Sequence, residues 1–133
     1  LWIMVRSAES NDPRLEASAQ QALEFYKRKF EQDNELYGTY TSSGDAINPY
    51  DAVWVYALVG RTAIALDDEE FASAMMQRLS ERQIMESENI GYGAFAENQD
   101  LHVTQFTQQE AITTLIDYSA YQKKKDAEIT KND

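Results

Sequence analysis

Hydrophobic residues recur every three or four positions in two long stretches of the chain, at about residues 14–32 and 68–85. In the first stretch they include Leu15, Leu23 and Phe30, and charged residues occupy most of the positions between them. This spacing places the apolar side chains along one side of a helix. The pattern therefore predicts two amphipathic helices that each pack one face against a core.

Two other stretches, at about residues 49–66 and 108–123, carry apolar residues on every side of a predicted helix. The clearest part is residues 52–60, Ala-Val-Trp-Val-Tyr-Ala-Leu-Val-Gly, which contains no charge. Helices of this composition are surrounded by protein. We therefore expect an all-α fold in which amphipathic outer helices alternate with buried inner helices.

Local signals suggest where the inner helices begin. Asn48 is a favourable N-cap, and Pro49 suits the first helical position. Thr107 and Glu110 have the spacing of a capping box, in which each side chain satisfies a free backbone N–H. The polar segment 123–133 is expected to fray as a tail.

A repeat underlies this order of helices. Residues 37–40, Tyr-Gly-Thr-Tyr, match residues 92–95, Tyr-Gly-Ala-Phe, and each set follows an outer helix and precedes an inner one. Antiparallel hairpins built this way place the two long connections, about 33–48 and 86–107, at one end of the bundle. Residues 1–5 fall where an earlier inner helix would end. We therefore expect about two and a half hairpins, forming a C-terminal fragment of a larger domain.

Charge and composition narrow the possible partners. The chain has 12 Lys and Arg against 23 Asp and Glu, a net charge of −11, which repels nucleic-acid phosphates and anionic membranes. It has no cysteine and a single histidine, His102, so a zinc site is not expected. No sequence feature indicates a cofactor or another metal, and the apolar segment at residues 1–5 is too short to span a membrane.

The two long connections carry the candidate chemistry. Sugars bind by stacking their apolar faces on aromatic rings and by hydrogen bonding their hydroxyls to carboxylates and amides, and both connections supply these groups. The candidates in and beside them are Tyr40, Asp45, Tyr50, Asp51, Trp54, Tyr92, Phe95 and Glu97.

Each candidate also has a purely structural interpretation. Asp51 near a helix start would be favoured by the helix dipole alone. Asp45, which follows Gly44, is a frequent turn former. Trp54 lies in an apolar helix, where most such residues belong to the core. Residue types alone leave these alternatives open.

A family resemblance favours the functional interpretation. Residues 50–56, Tyr-Asp-Ala-Val-Trp-Val-Tyr, resemble the Tyr-Asp-Ala-(apolar)-Arg-(apolar) motif of glycoside hydrolase family 8. The resemblance implies part of an (α/α)6 toroid, six helical hairpins in a ring. It implies an inverting polysaccharide hydrolase with Asp51 as general base, and Asp45 is the fallback. It also implies a secreted or cell-surface bacterial protein. The acid would come from an N-terminal portion outside this chain.

One departure from the motif keeps two other functions open. Trp54 stands where the family has arginine, and a tryptophan can stack or pack but cannot orient a carboxylate. The chain could therefore belong to a related toroid family, or be a carbohydrate-binding module without catalysis. The third possibility is a helical-repeat module that binds a protein. In the enzyme interpretation, the chain should pair with its missing N-terminal part or with itself, because an incomplete ring exposes apolar surface.

Overall fold

The computed structural model describes residues 1–47, 52–97 and 102–132. Its regular elements are α-helices, and no strand occurs in these ranges, which confirms the prediction of an all-α fold. In chain order the helices are α1 (Trp2–Ala8), α2 (Pro13–Asp33), α3 (Val53–Ala65), α4 (Glu69–Glu81) and α5 (Gln105–Asn132).

Helix α3 lies at the centre of the fold, as its largely apolar sequence predicts. Val55, Ala57 and Val59 are fully buried, and α1, α2, α4 and α5 all contact this helix. Gly60 permits a close approach of α4, because a Cβ at this position would lie 2.7 Å from the terminal methyl of Met76. The absence of a side chain at Gly60 therefore serves helix packing.

The two amphipathic helices, α2 and α4, begin at acidic caps. The Asp12 side chain accepts the N–H of Arg14 at 2.9 Å, and the Asp68 side chain accepts the N–H of Phe71 at 3.2 Å. These contacts satisfy backbone groups that a helix start leaves unpaired. Asp68 also accepts a 2.7 Å hydrogen bond from the Lys27 ammonium, which ties the start of α4 to α2.

The predicted ends of the helices beside the long connections need correction. Helix α4 ends at Glu81, and the residues beyond it pair with the second connection. Ile84 donates its N–H to the carbonyl of Ala94 at 2.8 Å, and the N–H of Gly93 returns a 2.8 Å bond to Ile84. Helix α3 begins at Val53 instead of residue 49. Asn48, Pro49, Tyr50 and Asp51, on which that predicted start relied, lie outside the described residues.

Helix α5 begins three residues earlier than predicted, at Gln105. The Thr104 hydroxyl accepts the N–H of Thr107 at 3.1 Å, so Thr104 acts at the helix start. The predicted capping box of Thr107 and Glu110 is therefore wrong, and both side chains point into the buried part of the fold.

The C-terminal segment is helical up to Asn132, so the expectation of a frayed tail is also wrong. Two side chains anchor this part of α5 to the turn between α3 and α4. The Tyr121 hydroxyl donates to the Asp67 carboxylate at 2.8 Å, and the Lys125 ammonium lies 2.6 Å from the same carboxylate. These tertiary contacts offset the fraying that is typical of a polar terminus.

Candidate functional site

Both long connections lie at the same end of the bundle. The Arg78 guanidinium, near the end of α4, donates to the carbonyl of Asn34, the residue that follows α2, at 2.7 Å. The N–H of Val53, at the start of α3, donates to the carboxylate of Glu97 in the second connection at 3.2 Å. The prediction of a single rim built from both connections is confirmed.

Glu97 lies beneath this rim, where its carboxylate joins the starts of two inner helices. It is 3% exposed and accepts from the Val53 N–H of α3 and from the Thr107 hydroxyl of α5. Thr104 donates in turn to the Thr107 hydroxyl at 2.9 Å. Glu97, which the sequence suggested as a sugar ligand, therefore has a structural role in the described residues.

Removing this carboxylate should destabilise the fold. In Glu97→Ala the Val53 N–H and the Thr107 hydroxyl lose a buried acceptor, and we expect the free energy of unfolding to fall by about 1–3 kcal/mol. Urea denaturation followed by circular dichroism measures this change. Glu88→Ala, which removes an exposed acid from the same connection, should stay within about 0.5 kcal/mol of the parent. Equal stability of the two variants would contradict the assigned role.

Two aromatic rings from the inner helices meet at the rim. The ring centroids of Trp54 and Phe106 lie 6.0 Å apart, with an angle of 60° between the ring planes. Trp54 is partly buried and Phe106 is 44% exposed. The first connection crosses the edge of the indole at Gly38, where a Cβ would lie 3.2 Å from Trp54. Phe106 was not among the predicted candidates, because only its contact with Trp54 distinguishes it from other residues of the predicted loop.

The candidates Tyr40 and Asp45 of the first connection both have structural contacts. The Tyr40 ring makes an edge contact with Phe25 of α2 at a centroid distance of 5.2 Å. Asp45 accepts a 2.7 Å hydrogen bond from Ser43 in a tight turn, where Gly44 has a φ of 89°. These contacts favour the turn-forming interpretation of Asp45.

The second connection divides its aromatic candidates between surface and core. Tyr92 is 57% exposed and can offer its ring to a ligand. Phe95 is only 3% exposed, and the Gln108 side chain bonds its backbone N–H and carbonyl at 2.8 and 2.6 Å. Phe95 therefore belongs to the core. Trp54 and Tyr92 are the predicted aromatic candidates that keep a place at the rim.

A partly buried charge cluster lies two helical turns beyond Trp54 on α3. Arg61 is 11% exposed on its side chain, and its Nε lies 2.9 Å from Asp117. The same guanidinium lies 3.4 Å from Glu9 and 3.7 Å from Glu110, and it stacks over the Trp2 ring. The cluster thus joins the end of α1 to α3 and α5. It was not foreseen, because its members are far apart in the sequence.

Glu110 is the most deeply buried charge of this cluster, at 2% exposure. Burial raises the pKa of the Glu110 carboxyl, and the positive charge of Arg61 acts in the opposite direction. Arg61 is therefore the cation that makes an ionised Glu110 tolerable inside the fold.

The described ranges contain no group of three or more histidine, aspartate or glutamate side chains arranged to hold a metal ion. No described helix is long and apolar enough to cross a membrane.

The helices and their shared rim define an all-α protein of antiparallel hairpins. Comparison with solved structures gives a more particular likeness, to an alpha-amylase from Clostridium perfringens, with a TM-score of 0.68 and 25% sequence identity. The match covers 74% of this chain and 30% of the amylase chain, so this chain spans less than a third of that protein. No family model and no curated protein matches the sequence. The structural likeness supports a relationship to glycoside hydrolases, and the narrower resemblance to family 8 stays a prediction.

Proposed function

We propose that this chain forms one side of the active-site cleft of a larger glycoside hydrolase with an (α/α)6 toroid. The observation that carries the proposal is the structural likeness to the alpha-amylase at 25% identity, together with the rim formed by the two long connections. Long connections held at one end of a rigid scaffold are a frequent place for binding and catalysis. The substrate would be a polysaccharide or an oligosaccharide.

In the proposed mechanism Asp51 activates water as the general base of an inverting hydrolysis. The general acid comes from a part of the protein outside these 133 residues. The two carboxyl groups of an inverting glycosidase stand about 6.5–9.5 Å apart, which leaves room for the water. Trp54 and Phe106 are proposed to stack against a sugar ring, and Tyr92 is the candidate for a neighbouring sugar. By the same resemblance to family 8, the complete protein would be secreted or exposed on the cell surface.

Tryptophan fluorescence of the complete protein tests the sugar-binding role of the rim. The described chain has two tryptophans, Trp2 on α1 and Trp54 at the rim. Titration with a starch-type oligosaccharide should change the fluorescence of the parent and of Trp2→Phe more strongly than that of Trp54→Phe. Trp54→Ala should weaken binding about 2–10-fold, as expected for loss of one stacking contact. An equal response of the two Trp→Phe variants would remove Trp54 from the proposed site.

A non-catalytic binding module is the second candidate function. The tryptophan in place of the family arginine favours it, because a stacking residue supports binding without helping the general base. If the protein is a binding module, the complete protein should show the same fluorescence change but should release no reducing sugar ends. Release of reducing ends from a starch-type or a β-linked glucan would favour the hydrolase over the binding module.

A further inference from the structure

A groove lies between α2 and the tight turn of the first connection. One wall is the turn at residues 42–44, Ser-Ser-Gly, and the other is one side of α2, formed by Phe25, Arg28, Lys29 and Gln32. Spacing of three and four residues places these side chains of α2 on the same helix face. The groove has a volume of about 330 Å³, at the lower end of the range for small-molecule sites, about 300–1,000 Å³. It is therefore large enough for a small ligand.

Gly44 allows the turn to lie directly on the Lys29 side chain. Its φ of 89° is in the left-handed region that favours glycine. A Cβ at this position would lie 3.3 Å from Cε of Lys29 and 3.5 Å from the Phe25 ring. The Lys29 ammonium also lies 5.9 Å from the centre of the Tyr40 ring. These contacts hold the ammonium in place at the edge of the groove.

The two cations of the groove have no acidic partner among the residues that the structure describes. Neither Arg28 nor Lys29 forms an ion pair there. The Lys29 ammonium has one long hydrogen bond, 3.4 Å, to the side-chain oxygen of Gln32. Lys27 on the same helix, by contrast, lies 2.7 Å from the Asp68 carboxylate. Ammonium and guanidinium groups each carry several N–H donors, so most of the donors in the groove are available to a ligand.

The acidic residues near the groove are engaged elsewhere. Asp45 accepts a 2.7 Å hydrogen bond from Ser43 within the turn, and Glu24 lies 3.9 Å from the Lys27 ammonium. Glu31 lines a separate groove between α2 and α4. The lining of the groove at the turn therefore contributes two positive charges and no negative one, in a chain with a net charge of −11. This local sign favours an anionic ligand.

We propose that the groove binds a phosphate group, either as inorganic phosphate or on a small phosphorylated sugar. The planar guanidinium of Arg28 matches a pair of phosphate oxygens, and the Lys29 ammonium adds a point charge. Within the described part of the chain, the N–H groups of Ser42 and Ser43 donate to no protein acceptor, so they can complete the site. Phe25 offers an apolar contact to a sugar ring. This site shares no residue with the proposed cleft and does not depend on the proposed function.

Calorimetric titration of the complete protein at low ionic strength, with inorganic phosphate and with glucose-6-phosphate, tests the site. Arg28→Gln should weaken the binding of both compounds about 10–100-fold, the usual loss for a hydrogen bond to a charged group. Lys131→Gln is the matched control, because it removes the same charge from an exposed position on α5. This control should bind both compounds as the parent does. Arg28 is exposed, so its variant should keep the circular dichroism spectrum of the parent.

The relative affinities of the two compounds identify the ligand. Tighter binding of glucose-6-phosphate would point to a phosphorylated sugar, and equal or tighter binding of inorganic phosphate would point to the free ion. Two results would overturn the proposal: no binding of either compound to the parent at millimolar concentration, or the same affinities in Arg28→Gln as in Lys131→Gln. Phosphate binding by a complete protein that neither binds nor cleaves polysaccharides would leave this inference standing while the proposed function fails.

Discussion

Arg61→Met is expected to lower the free energy of unfolding by about 3–5 kcal/mol, the usual loss when one partner of a buried ion pair is removed. The methionine fills much of the space of the arginine stem but leaves Glu110, 2% exposed, without its cation. Asp117 and Glu9 also lose a partner, but they are 41% and 35% exposed on their side chains, so water replaces much of that interaction. Urea denaturation followed by circular dichroism measures the effect.

The double variant Arg61→Met/Glu110→Leu separates a buried charge from lost packing. If the unpaired carboxylate causes the loss, removing it should restore most of the stability, because apolar residues commonly replace a buried ion pair without penalty. Arg61→Lys should retain part of the stability, since it keeps a charge but loses the planar fork. A double variant no more stable than Arg61→Met would show that the packing of the arginine stem dominates.

The pH dependence of the loss gives an independent check. Burial places the folded-state pKa of Glu110 above its ordinary value of 4.5, so protonation of Glu110 favours the folded state. Removing Arg61 removes the charge that holds this pKa down. The deficit of Arg61→Met should therefore be largest near about pH 8 and shrink as the pH falls toward about 5. In a Glu110→Gln background the loss of stability caused by Arg61→Met should no longer depend on pH. A loss of stability that does not change with pH in either background would contradict the role assigned to Glu110.

The positions of the helices were predictable because each type has its own pattern. The uncharged run from Ala52 to Gly60 predicted the buried α3, and the one-sided runs predicted α2 and α4. The repeated Tyr-Gly connections predicted that both loops meet at one rim. These inferences depend on the spacing of apolar and polar residues within short segments, which can be read directly from the sequence.

The predicted helix boundaries were wrong where contacts between distant residues determine them. The pairing of Ile84 with the strand-like stretch at Gly93 and Ala94 ends α4 four residues before the apolar pattern does. The anchoring of Tyr121 and Lys125 to Asp67 keeps the C-terminal segment helical. Both contacts join separate parts of the chain, and no single window of sequence contains them.

The candidate site was predicted less well than the fold, because residue type does not determine which side chains of a loop are buried and which are exposed. The first connection packs Tyr40 onto α2, and the second buries Phe95 and Glu97. Phe106 and Arg61 became visible only through their contacts with Trp54 and Glu110. A polar or aromatic residue in a long connection serves equally well to close the loop or to bind a ligand, and packing decides between them.

Asp51→Asn is expected to lower the rate of glycoside hydrolysis by the complete protein about 10²–10⁴-fold, the usual contribution of a positioned general base. Asparagine matches aspartate in size but cannot accept the proton of the attacking water, which an inverting mechanism requires. Affinity for the oligosaccharide should change little, because the proposed stacking on Trp54 and Phe106 does not involve this carboxylate. The rate of reducing-end release measures the loss, and fluorescence titration measures the affinity.

Asp45→Asn is the matched comparison for Asp51→Asn. Asp45 lies in an exposed turn and accepts a hydrogen bond from Ser43, a contact that an asparagine oxygen can retain. We therefore expect nearly full hydrolytic activity from this variant. An inactive Asp45→Asn beside an active Asp51→Asn would move the general base to Asp45, and full activity in both would place the base elsewhere in the complete enzyme. Loss of activity in Asp51→Asn alone, with sugar affinity preserved, is the result that the proposed mechanism requires.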